Sequence, residues 1–137
     1  MSKRDEPVVI AASNLGGSLP SSHPWGTSLV LKKGGRIPVK THVGDAGYDL
    51  YTSESVYVFP CSTVDVHTGV YIALPPNLWC QIMPRSSTAR RHGLQVLNAV
   101  IDNGYRGEIF VQVHNPGNAV VRVEQDIRLA QLIPHKL

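Results

Sequence analysis

The sequence predicts an all-β fold built from many short strands, arranged as a sandwich, a barrel or a jelly roll. Three observations predict it. Val64, Val66, Val70, Ile72 and Leu74 all sit at even positions, with Thr63, Asp65, His67 and Tyr71 between them. This is the period of a strand with one buried face. Ten prolines and twelve glycines punctuate such runs at short intervals. An apolar content of 42% over 137 residues suffices for one domain with its own core.

The elements follow in chain order. Residues 1–26 contain Asn14, Gly16, Gly17, Ser18, Pro20, Ser21, Ser22 and Pro24 and keep neither period. They read as a flexible N-terminal arm, mobile or docked on a neighbour, ahead of a β domain over 27–137. After the long strand and the Pro75-Pro76 turn, Leu78, Cys80 and Ile82 mark another short strand. Ser86 to Gly93 breaks the β pattern. A serine N-cap, helix-favouring Ala and Arg, and a left-handed Gly93 predict one short helix of about two turns. Residues 98–109, NAVIDNGYRGEI, place Asn103-Gly104 between two runs and predict a tight hairpin with Asp102 and Tyr105 as cross-strand neighbours. Ile109, Val111 and Val113 continue the alternation, Asn115-Pro116-Gly117-Asn118 turns the chain, and Val121 and Val123 resume it. Arg128 to Ile133 predicts a last strand.

Composition narrows the function. A net charge of +3, with a pI near 9.0, favours an anionic ligand weakly. No basic block argues for nucleic acid as a partner. Cys61 and Cys80 lie far apart in strand-like segments and read as buried free thiols of a reducing compartment. No stretch spans a membrane and the N-terminus lacks a secretory pattern, so the expected location is the cytoplasm of a cell or host. None of the six histidines has a partner at metal-ligand spacing.

Four segments carry polar groups that invite chemistry. Ser86 and Ser87 beside Arg85 would present hydroxyls, free amides and the positive end of a dipole to an anion, or simply cap a connecting helix. In Gly44 to Leu50, Gly47 permits close backbone approach. Asp49 could orient the water shell of a Mg2+ ion, or be an ordinary turn acid. Asp102 could act as a general base and Tyr105 as a flat platform for a sugar or base, or the pair could cap and pack a turn. Gln131, one amide in an apolar strand, needs a partner unless it faces water at a sheet edge.

The order of these segments carries a resemblance. AGYDL (46–50), PRSSTAR (84–90), AVIDNGYRGE (99–108) and RLAQLI (128–133) resemble the first four of five motifs of the trimeric dUTP diphosphatases, or dUTPases. The likeness runs from about Ser28 to Ile133. It implies a dUTPase-like β jelly roll, or β-clip, in a homotrimer with sites at subunit boundaries. The implied reaction is Mg2+-dependent hydrolysis of dUTP to dUMP and pyrophosphate. Asp102 matches the acid that activates the attacking water, and Tyr105 the ring under the deoxyribose. The backbone from Asn98 and Ala99 to Tyr105 matches the uracil reader. Arg85, Ser86, Ser87 and Gln131 match phosphate ligands, and Asp49 the acid that holds Mg2+ through water. PRSSTAR also resembles a signature of the dCTP deaminases. Their acid/base glutamate, however, is matched here by Gln112, which ranks deamination lower. The glycine-rich fifth motif, a C-terminal lid, has no counterpart up to Leu137. The expectations are a truncated form, weak turnover, a lid supplied by the arm with Gly16-Gly17 and Trp25, or a non-enzymatic trimer on the same fold.

Overall fold

The computed structural model describes residues 8–10, 29–85, 87 and 91–137. Its strands are β1 (Val8–Ile10), β2 (Leu29–Leu31), β3 (Tyr48–Tyr51), β4 (Val56–Val58), β5 (Thr63–Ile72) and β6 (Leu78–Pro84). They continue as β7 (Gln95–Val96), β8 (Ala99–Ile101), β9 (Glu108–His114), β10 (Val121–Val123) and β11 (Arg128–Lys136). A five-stranded sheet runs β1-β2-β5-β9-β7, a four-stranded sheet β3-β11-β6-β8, and β10 pairs β4. Every pairing is antiparallel. This is the all-β jelly-roll arrangement expected from the alternation. Of the arm over 1–26, only β1 falls within the described residues. No helix among the described residues is long and apolar enough to cross a membrane.

The even-position face of β5 is the buried one: Val66, Val70 and Ile72 are almost fully covered. Ile109, Val111 and Val113 from β9 and Leu129 and Leu132 from β11 complete the core from both sheets. Burying such a face is what fixes the register, because a one-residue slip would expose all of it. Buried polar groups close the seams between strands. The Asn115 amide donates to the Val58 and Ala119 carbonyls, while its oxygen accepts from the Gly117 amide. The Thr52 hydroxyl donates to the Glu124 carbonyl and accepts from the Ile127 amide.

Three expectations are corrected. The 98–109 segment is not a two-stranded hairpin, since β8 pairs with β6 whereas β9 pairs with β5 and β7. The turn therefore links two sheets, and Asp102 and Tyr105 are not cross-strand neighbours. Neither Asn103 nor Gly104 takes the positive φ of a primed hairpin turn. The Tyr105 amide instead donates to the Asp102 carbonyl at 3.0 Å in an ordinary four-residue turn. Cys61 is exposed at a turn with φ of 58°, and only Cys80 is buried. Burial pushes the Cys80 thiol up to about 12. Gln131 is not at an edge, because β11 lies between β3 and β6.

The expected helix falls partly outside the described residues, as do Ser86 and residues 88–90. Ser87, Arg91 and His92 are helical. Gly93 stops the helix with φ of 66°, the left-handed conformation that the sequence anticipated.

Candidate active site

Antiparallel pairing of β3 with β11 puts Asp49 directly opposite Gln131, so two segments more than eighty residues apart meet at one point. Gly47 makes the meeting possible. A Cβ there would lie 2.7 Å from Gln131 Oε1 and 2.9 Å from its Cβ. The Gln131 amide nitrogen donates to the Pro84 carbonyl at 3.1 Å, which ties β11 to the end of β6. Arg85 follows directly.

The Asp49 carboxylate is 8% exposed and collects cations. Arg85 Nε lies 3.5 Å from Oδ1, and Arg128 Nη1 lies 3.8 Å from Oδ2. The Thr41 hydroxyl donates to Oδ2 at 2.5 Å and itself accepts from Arg128. A buried carboxylate flanked by two guanidiniums gathers positive charge at one point, which suits a phosphate. The space beside them, about 330 Å³, is lined by Thr41, Asp45, Gly47, Asp49, Arg85, Arg128 and Gln131, among others. It adjoins a broader cleft of about 590 Å³ to which Arg36, Ser87, Arg91 and His92 contribute. The Arg36 guanidinium lies 3.8 Å over the Tyr51 ring in that wall.

Asp102, Tyr105, Asn98 and Ala99 line neither space. The register explains why for the turn. Ile101 pairs with Cys80, so Asp102 lies beside Trp79 at the start of β6. Arg85 lies six residues further along, just past the end of that strand. At ~3.3 Å per residue the two are about 20 Å apart.

The turn itself is held firmly. The Asn103 amide donates to the Pro75 and Leu78 carbonyls, 2.7 Å each. The Arg106 guanidinium donates to the Asn103 and Tyr105 carbonyls. The Tyr105 hydroxyl donates to the Glu108 carbonyl at 2.6 Å, and its ring lies on Gly107, where a Cβ would sit 2.7 Å from the hydroxyl. Asp102 is exposed at the surface, and 37% of Tyr105 is open to a ligand. Asn98 is also exposed and Ala99 half-buried.

The dUTPase family model matches residues 33–137. The chain belongs to the dUTPase family. It is an enzyme of that hydrolase group. A deoxyuridine 5′-triphosphate nucleotidohydrolase of Clostridium novyi (strain NT) is 42% identical over 99 residues, which are 71% of this chain and 70% of the relative. Its counterpart in Crocosphaera subtropica (strain ATCC 51142 / BH68) is 42% identical over 107 residues, 77% of this chain and 75% of the relative. Among solved structures, a dUTPase of phage phi11 of S. aureus superposes with a TM-score of 0.73 at 21% identity. It covers 78% of this chain and 87% of its own. The dUTPase of Staphylococcus bacteriophage 80alpha gives the same TM-score at 23% identity, over 78% of this chain and 86% of that one. These two likenesses establish the dUTPase fold.

Several residues beside the candidate site of this dUTPase chain lay beyond the sequence reading. Thr41 and Arg128 join Asp49 from 8 and 79 residues away, a convergence that only the β3–β11 register creates. Arg36 sat in a polar stretch with no pattern, and Arg91 was read only as a helix-favouring residue. Asn103 was visible as a turn residue, but its anchoring partners were not, and Gly107 drew no reading.

Proposed function

We propose that the chain hydrolyses dUTP to dUMP and pyrophosphate at a site shared by two copies of itself, in a homotrimer. The carrying observation is the pair of half-sites at the two ends of β6. One end holds a cationic cradle around Asp49, and the other a fixed turn bearing an exposed carboxylate and an aromatic face. A water on Asp102 cannot reach a phosphorus held about 20 Å away by the Arg85 of its own chain. Apposing the cradle of one copy to the turn of its neighbour brings the halves together.

In this reading Arg85, Arg128, Ser86, Ser87 and Gln131 bind the phosphates and offset charge as it builds in the transition state. Tyr105 carries the deoxyribose on its ring. The backbone of Asn98, Ala99 and the turn reads uracil. Asp102 takes the proton of a water aimed at the α-phosphorus, and the pyrophosphate departs in line. A phage phi11 dUTPase coordinates a structural Mg(II) ion. Here no group of three or more His, Cys, Asp or Glu among the described residues could cage a metal. The donors present suit an ion carried by the triphosphate and touched through water, for which one carboxylate, Asp49, is enough. Mg2+ bound in that way would neutralise phosphate charge.

Pyrophosphate release from dUTP, dCTP, dTTP and UTP, with and without EDTA, tests the reading. EDTA-sensitive release from dUTP alone is expected. Binding without release from any of the four would contradict it, and ammonia release from dCTP would point to a deaminase instead.

A further inference from the structure

Glu108 carries a carboxylate that the reaction above leaves unused, yet it is 3% exposed and lies three residues from Tyr105. Three donors surround it. Lys32 Nζ reaches Oε1 at 3.1 Å, and His67 Nδ1 and the Gly69 amide both reach Oε2 at 3.0 Å. Gly69 sits where the β5–β9 register shifts, with φ of 69°. It is locked from behind, since its carbonyl accepts the Lys32 amide and a Cβ on Gly35 would lie 2.6 Å from that oxygen. The side chain of Glu108 is thus pinned to a rigid bulge, while its own carbonyl holds the Tyr105 hydroxyl.

We propose that Glu108 is a positioning residue that sets sugar selectivity by fixing the Tyr105 ring against Gly107. The inference rests on the function proposed above, in which that ring lies under the deoxyribose. A wall can exclude a 2′-hydroxyl only if it does not yield, and a ring bonded to the main-chain carbonyl of a residue whose own side chain is pinned by three donors does not. A Glu108→Gln change keeps the shape but replaces one acceptor oxygen with an NH2 donor. Either Lys32, or the Gly69 amide together with His67, then faces a donor and loses its bond. The strand start relaxes and the ring moves with it.

The test is a double-mutant cycle on wild type, Glu108→Gln, Tyr105→Phe and the double variant, reading kcat/KM for dUTP and for UTP by pyrophosphate release. Each single change is expected to narrow the dUTP/UTP ratio by roughly tenfold, within the ~10²-fold that a misplacement of about 1 Å can cost. The double variant should do no worse than either single one, because both cut the same tie. A folded Glu108→Gln with an unchanged ratio and a lower melting temperature would overturn the inference, leaving a structural carboxylate only. Losses that multiply in the double variant would also overturn it. Should Glu108→Gln fail to fold, Lys32→Met removes one donor from a partly exposed position, and a narrowed or unchanged ratio there decides. A wild-type enzyme with no preference for dUTP would overturn the inference together with the reading beneath it. An intact preference with an insensitive Glu108 overturns the inference alone.

Discussion

Asp102 and Glu108 are two carboxylates of one segment with opposite surroundings. Asp102 is exposed at the turn, where it can meet a water and a substrate. Replacing it with Asn should leave folding and nucleotide binding in place and lower kcat by about 10²–10⁴-fold, the usual worth of a positioned base; steady-state kinetics beside a binding titration would check this. Glu108 is buried, which alone would raise its pKa. The Gly69 amide and the Lys32 and His67 side chains outweigh burial and hold it below its ordinary value. A depressed folded pKa means that its stabilisation is present above the unfolded carboxylate value, ~4.3, and is lost as pH falls through the lower folded one. The wild-type melting temperature should therefore fall more steeply than that of Glu108→Gln on acidification below about pH 4.5. Parallel slopes would show that the carboxylate gains nothing from its donors. At this scale the turn position of Asp102 was legible, because an acid beside Asn-Gly stands out. The sequence was silent on Glu108, since Lys32 lies 76 residues away and only folding brings it near.

Among the elements, the pairing of β3 with β11 does most to create a site. Asp49 and Gln131 could each be seen as isolated polar groups in apolar runs, and Gly47 as a place of close approach. Their register could not be read, because nothing local states which strand lies beside which. Gly47→Ala should drive a Cβ into the stem of Gln131, not merely its mobile tip. The expected result is a several-fold rise in KM for dUTP and a loss of about 1–3 kcal/mol of stability, as overpacking gives; kinetics with urea unfolding measures both. The expected hairpin failed for a related reason. Asn-Gly signals a turn, but turn chemistry cannot tell whether the flanking strands pair with each other or go to separate sheets. Here β8 completes an edge on β6 while β9 lies between β5 and β7 in the other sheet. The alternation along β5 and β9 was legible except at the Gly69 bulge and the buried Glu108, because burial of one face writes itself into every second residue.

For the whole molecule, the two sheets form a rigid spacer. On the proposed roles, the Asp49 cluster that would bind phosphate and the Asp102 turn that would activate water stand at opposite ends of β6, and neither could serve the other within one chain. Such an arrangement needs a symmetric assembly in which one patch of each copy meets a different patch of the next. The ordered motifs in the sequence point to a shared site through resemblance alone; the distance along β6 supplies a physical reason. That physical reason also determines how inactive variants should behave when mixed.

Co-expression of Asp102→Asn with Arg85→Ala, each carrying its own tag, tests this most directly through dUTP hydrolysis by the purified mixed assembly. Each variant alone is expected to be nearly inactive. In a closed ring of three that holds both variants, one site in three pairs an intact cradle with an intact turn, so activity should return to about a third of wild type. Mixed assemblies that stay as inactive as their parents would place both half-sites in a single chain and contradict the account.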